Sequence, residues 1–173
     1  MKKLVSLLGC LVFSMVIVGC AQESEQPLPT ANVDGAKFTL SNEPEDAKDV
    51  IQAREDAEEG DDVVLVGRIG GSANPWIKDR AAFTIVDNSL KACSDIPGDQ
   101  CAKPWDYCCE TPKLPTSTAL VKVVDENGEL VKADARSLLN VEELSTVVVQ
   151  GKAQRDDEGN LTVLASGVFV KKK

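Results

Sequence analysis

Cysteine is the residue through which this chain could do chemistry. The sequence has 173 residues, six cysteines and no histidine. Without imidazole there is no Ser-His or Cys-His pair and no His-ligated metal site. Cys93, Cys101, Cys108 and Cys109 fall in one stretch, residues 88–118, with the spacing C-x7-C-x6-C-C. Three chemistries fit four thiols in so short a segment. Two disulfides would close loops and restrict the unfolded chain by about 2–4 kcal/mol per bridge. An adjacent Cys108–Cys109 bridge needs a strained eight-membered ring, so Cys93 and Cys101 would pair with Cys108 and Cys109 in either order. Alternatively, four thiolates would hold a metal ion or an iron–sulfur cluster, without the C-x2-C knuckles of structural zinc sites. Lastly, Cys108-Cys109 would act in thiol exchange, with Asp106 and Glu110 opposing it by raising thiol pKa values.

The same stretch carries Pro104-Trp105-Asp106-Tyr107, with the only tyrosine of the chain. Trp76, Trp105 and Tyr107 are candidate ligand contacts at a barrel mouth. The competing expectation is that Trp105 and Tyr107 pack on the disulfides and cover the barrel. The acidic pairs and triplets do not match a calcium-binding EF-hand loop, and no P-loop, GxSxG or dinucleotide fingerprint is present. No catalytic residue and no cofactor are therefore expected. The chain carries a formal net charge of -9. An acidic body repels phosphate backbones, so nucleic acid is not an expected partner.

The first residues read as an address. Lys2 and Lys3 precede an apolar run from Leu4 to Val18, too short to span a hydrocarbon core of about 30 Å comfortably. Ile17-Val18-Gly19-Cys20 resembles the lipobox of bacterial lipoproteins. That resemblance implies cleavage before Cys20, acylation of the Cys20 thiol and anchoring through lipid. Two or more acyl chains give stable membrane attachment where one does not. Residues 1–19 are then a signal peptide and 20–36 a tether with Pro27 and Pro29. Ala21, rather than Asp, follows the cysteine, which implies the outer membrane facing the periplasm more than the inner membrane.

Several elements must position the cysteines. Residues 37–61 read as a short strand at Ala36 to Leu40 and a helix capped by Ser41 or Asn42, with Pro44 in its first turn and Gly60 at its end. β-Branched runs predict strands over 63–69, 81–86, 119–124, 146–153 and 161–170. Asn127-Gly128 signals a hairpin with a return through Glu129 to Lys132, and residues 134–144 read as a short helix.

Strand, strand, strand, helix, strand, strand resembles the OB-fold, a five-stranded Greek-key barrel. Val64-Leu65-Val66-Gly67-Arg68-Ile69, Phe83-Thr84-Ile85-Val86-Asp87 and the pair beginning Val147-Val148-Val149-Gln150-Gly151 carry the likeness. It is similar to nucleic-acid-type OB domains and implies an all-β barrel over residues 62–173, with the Cys-rich insert 88–118 between its second and third strands. The aromatic series and basic groove of single-strand binders are missing. The resulting expectation is a non-catalytic binding or interaction module of the cell envelope, recognising an envelope protein or small ligand. Two alternatives stay open: a thiol- or metal-dependent redox protein, and a carbohydrate or oligonucleotide binder using the aromatic residues.

Overall fold

The computed structural model describes residues 33–172. The expected signal peptide, Cys20 and nearly all of the expected tether lie outside the described residues.

Six strands follow in chain order: β1 (Lys48–Asp49), β2 (Asp62–Ile69), β3 (Ala82–Val86), β4 (Thr118–Val123), β5 (Thr146–Arg155) and β6 (Leu161–Val170). The hydrogen-bonded order is β1-β2-β3-β4-β6-β5, and β2 also pairs with β5. That last pairing closes β2 to β6 into a five-stranded barrel. All neighbours in the barrel are antiparallel except β4 and β6, which run parallel from Leu120↔Thr162 to Val123↔Ala165. One parallel contact between the third and fifth barrel strands, with a helix between the third and fourth, is the OB-like Greek-key arrangement. β1 adds a two-residue parallel flank to β2.

Alternation along the strands fills the barrel. Leu65 and Ile69 of β2, Phe83 and Ile85 of β3, Val121 and Val123 of β4, and Val163 and Ala165 of β6 are buried together. Each strand turns alternate side chains to one face, so these positions share the interior. Closure depends on Gly151. The β5–β6 register shifts between Gln150 and Gly151, and a Cβ on Gly151 would lie 2.1 Å from the Leu164 carbonyl oxygen. Only glycine permits that approach at the bulge.

The expected helix after Pro44 forms later and shorter. Helix α1 spans Val50–Asp56, with Asp49 as N-cap making no side-chain cap bond. Asp46 has φ +57°, which breaks helical geometry before that point. The free N–H of Ile51 is met from a distance, by Asp87 Oδ2 at 2.8 Å. The expected strand at Ala36 to Leu40 is instead a 3₁₀ turn, Gly35–Lys37, followed by a single bridge from Thr39 to Val168. The expected return after Asn127-Gly128 is likewise a single bridge, Val124 to Leu130. The helix expected over 134–144 is helix α3 over Ala135–Leu139 alone. Asp134 caps it through Arg136 N and Ser137 N, and Asn140 ends it in the left-handed region. A single-turn helix α2 (Leu114–Ser117) leads out of the insert into β4.

Candidate functional site: a thiol cluster between the second and third barrel strands

The insert leaves β3 at Val86 and folds into a small structure with its own core. Val86, Leu90, Ala92 and Tyr107 form a second buried cluster, joined by Ile51, Leu114 and Leu144. Asp87, 3% exposed, directs the exit. Its Oδ1 accepts from Ser89 N and Ser89 Oγ, and its Oδ2 from Ile51 N. Burial alone would raise this carboxyl. The bonds from Ile51 and Ser89 outweigh it and hold Asp87 below the usual carboxylate value.

Two arms then run together and bring the thiols to one place. Cys93 N donates to the Asp106 carbonyl and Ser94 N to the Pro104 carbonyl, each at 2.8 Å. Asp95 accepts from Ala92 N and pairs with Arg68 of β2, which ties the first arm to the barrel. Asp99 Oδ1 takes the Cys101 N–H at 2.6 Å, and Asp106 Oδ1 takes the Tyr107 N–H at 2.7 Å. Trp105 Nε1 donates to the Ala73 carbonyl at 3.2 Å, tying the second arm to the loop after β2.

Tyr107 is the keystone. Its ring is fully buried, and its hydroxyl is a buried polar atom with no hydrogen-bond partner among the described residues. Burial chiefly, with Asp95 adding to it against the pull of Arg68, raises its pKa and keeps the phenol protonated. A Cβ on Gly70 would sit 2.5 Å from Tyr107 Cε2. The glycine at the end of β2 therefore lets the ring reach the barrel wall, one residue from the site.

Immediately after Tyr107, a 3₁₀ turn (Cys108–Glu110) presents the adjacent cysteines. The Sγ atoms of Cys93, Cys101 and Cys108 lie within 4.8 Å of one another. Cys93 and Cys108 are 3.4 Å apart, and Cys108 and Cys109 are 4.0 Å apart. The trio is graded from buried Cys93 through half-buried Cys101 to exposed Cys108; Cys109 is also exposed. All four are free thiols in the structure, and the closest pair is separated by more than the roughly 2.05 Å of an S–S bond. The two expected disulfides are thus not formed here.

Burial, then the neighbouring thiols of Cys108 and Cys101, pushes the Cys93 thiol up. Cys108 is also raised. Its contact with Cys93 favours the thiolate, but Cys109, desolvation and Cys101 outweigh it. The raised pKa values keep these sulfurs as thiols, and any metal ion bound here would have to displace their protons.

The structure brings together Cys93, Cys101 and Cys108, with Cys109 beside them. It does not assemble the three aromatic candidates into one open face. Trp105 is half-buried on the insert. Trp76 belongs to the barrel core, stacks at a tilt on Phe83 with centroids 5.9 Å apart, and donates from Nε1 to Glu143 at 2.8 Å. Arg136 covers its ring at 5.5 Å. Trp76 and Tyr107 are therefore packing residues of two different buried clusters. Three basic residues near the strands are engaged: Arg68 with Asp95, Lys152 with Asp62, and Arg155 with the Ala57 carbonyl.

Sequence reasoning missed Gly70, Asp87, Asp95 and Arg68 as positioning residues. Asp87 alone offered a local signal, the Asp-x-Ser turn closing a strand. Fold and site together define an OB-like barrel that carries a thiol cluster on an insert after its second strand. No protein-family model matches the chain, and no curated protein matches it. The functional reading therefore stands on the geometry.

Proposed function

We propose that the protein is a lipid-anchored, non-catalytic binding protein of the bacterial cell envelope, and that its ligand is a thiophilic metal ion held by Cys93, Cys101 and Cys108. One observation carries the reading: three sulfur atoms from separated positions converge within 4.8 Å. Thiolates around one ion at about 2.3 Å stand about 3.8–4.0 Å apart, and the 3.4 Å of Cys93–Cys108 brackets that spacing from below. The insert supports the reading in its construction. Asp99 and Asp106 spend their Oδ1 atoms on backbone N–H groups next to the cysteines, and so orient the sulfurs. Such outer partners hold ligating side chains in place.

Attachment through Cys20 is part of the proposal, supported by the lipobox-like Ile17-Val18-Gly19-Cys20. Among the described residues no helix is long and apolar enough to cross a membrane. The full chain is to be expressed in a bacterial host and isolated from membranes. Stoichiometric bound metal by elemental analysis, lost in Cys101→Ser, supports the reading; metal-free protein with all cluster thiols oxidised contradicts it. In Cys20→Ala the protein should keep its signal peptide and carry no lipid.

A second reading has its own observation. The 3.4 Å approach of Cys93 and Cys108 suits a thiol pair that forms a disulfide with loss of two protons and two electrons to a disulfide oxidant. Non-reducing peptide mapping separates it from the first, since a Cys93–Cys108 crosslink would replace the metal.

A further inference from the structure

We propose that the cluster is a three-thiolate site for monovalent copper, and that Cys109 is the thiol through which the ion arrives and leaves. This rests on the metal reading above and adds the ion's class and the division of labour among the four cysteines.

The four sulfurs are not equivalent. Cys93, Cys101 and Cys108 are mutually close, whereas Cys109 stands outside that trio at 4.0 Å from Cys108. Among the described residues no carboxylate oxygen joins the trio within the same 4.8 Å, and the chain contains no histidine to complete it. The trio therefore offers three soft donors, and Cys109 is a further thiol within reach of Cys108 alone. Divalent zinc would need a water molecule or Cys109 as a fourth ligand to complete its tetrahedron here. Cuprous ion is soft, d¹⁰ and content with three thiolates, and thiolate sites select it. The burial gradient gives the ion a direction of travel. Cys93 closes the inner end, while Cys108 and Cys109 face solvent on one 3₁₀ turn.

Transfer is a ligand exchange without change of oxidation state. A Cu–S bond to Cys109 forms as a bond to the donor complex breaks, and the Cys109 thiol proton leaves to water. Cys108 then binds the ion and gives up its proton as the Cu–Cys109 bond breaks and Cys109 takes a proton back from water; Cys101 and Cys93 complete the set, releasing their protons as the remaining bonds to the donor complex break. A reduced, thiol- or thioether-carried copper(I) complex must supply the ion.

The test uses the full-length protein in detergent, reduced with a phosphine and freed of excess reductant without air. It is titrated with copper(I) bicinchoninate and, separately, with zinc. The expected result is one copper per chain bound at least about 100-fold more tightly than by Cys101→Ser. Cys109→Ser should hold copper within about 3-fold of the parent but surrender it to competing bicinchoninate about 10-fold more slowly. X-ray absorption should find three sulfur scatterers and no fourth ligand. Circular dichroism of both variants guards against a folding defect. Four sulfurs, or equal losses in the Cys109 and Cys101 variants, would make Cys109 a permanent ligand and overturn the inference while leaving the metal reading intact. Tight zinc with weak copper would do the same. Failure of the reduced protein to bind either ion would overturn both.

Discussion

The barrel and its insert are built on opposite principles. In the barrel, side-chain alternation drives assembly. Phe83, Ile85, Val121, Val147 and Val163 are wholly buried, and long ladders satisfy the backbone. In the insert, regular structure is limited to single turns. Its shape comes from carboxylates gripping N–H groups, two backbone crossings between its arms, and one buried tyrosine. The barrel invests apolar area, which is indifferent to chemistry. The insert keeps its sulfurs close and partly exposed, which a hydrophobic core could not do. A stable scaffold carrying a loop site is the usual division between fold and function.

That contrast breaks most violently at Phe83. Truncation to alanine removes a fully buried ring of β3, which also packs against Trp76. A loss of about 3–5 kcal/mol is expected in chemical denaturation, taking barrel and insert together. Gly70→Ala should sharpen the contrast instead. Its methyl group collides with the Tyr107 ring, and overpacking of this kind costs about 1–3 kcal/mol. The disturbance should fall on the insert: metal binding is lost while the far-ultraviolet circular dichroism of the barrel persists. Unchanged metal binding would show that Tyr107 does not position the cysteines.

Asp87 links the two regions, so its replacement by asparagine is the intermediate case. The charged acceptor for Ile51 N and Ser89 is lost, at a cost of about 1–3 kcal/mol at neutral pH. Its folded pKa lies below the unfolded value of about 3.9. Its stabilisation is therefore complete above that value and is lost as pH falls through the folded pKa. Parent and variant stabilities should converge in acid, and parallel acid curves would contradict this assignment. The smallest effect is expected at Lys152. Its pair with Asp62 is 60% and 88% exposed, and Lys152→Ala should change stability by about 0–1 kcal/mol, with no change in metal content.

The same contrast explains what was legible in the sequence. β-Branched runs announced all five barrel strands, because branched side chains fit the pleated, buried surface of a strand. Strand order and closure followed from the resemblance that those runs carry. The four cysteines were visible, and so was their place between the second and third barrel strands. Their arrangement was not. It depends on contacts such as Cys93 N to the Asp106 carbonyl and Arg68 to Asp95, which no periodicity encodes. The start of α1 was misplaced for a related reason. Ser41, Asn42 and Pro44 carry the local signature of a helix start, whereas the actual first turn is served by Asp87, 36 residues away from Ile51. Trp76 and Tyr107 resembled ligand contacts because aromatic residues near cysteines serve binding and packing alike. Burial decides between the two, and burial is a property of the folded chain.

The most direct measurement is the intact mass of the protein expressed from its full sequence in a bacterial host, first under native conditions and then denatured with an alkylating agent and no reductant. One bound metal ion in the native spectrum is predicted, with Cys93, Cys101, Cys108 and Cys109 all alkylated once the ion is removed. A metal-free protein that resists alkylation at these four residues and is lighter by about four hydrogens, two for each disulfide, would contradict the thiolate site and make the insert a disulfide staple.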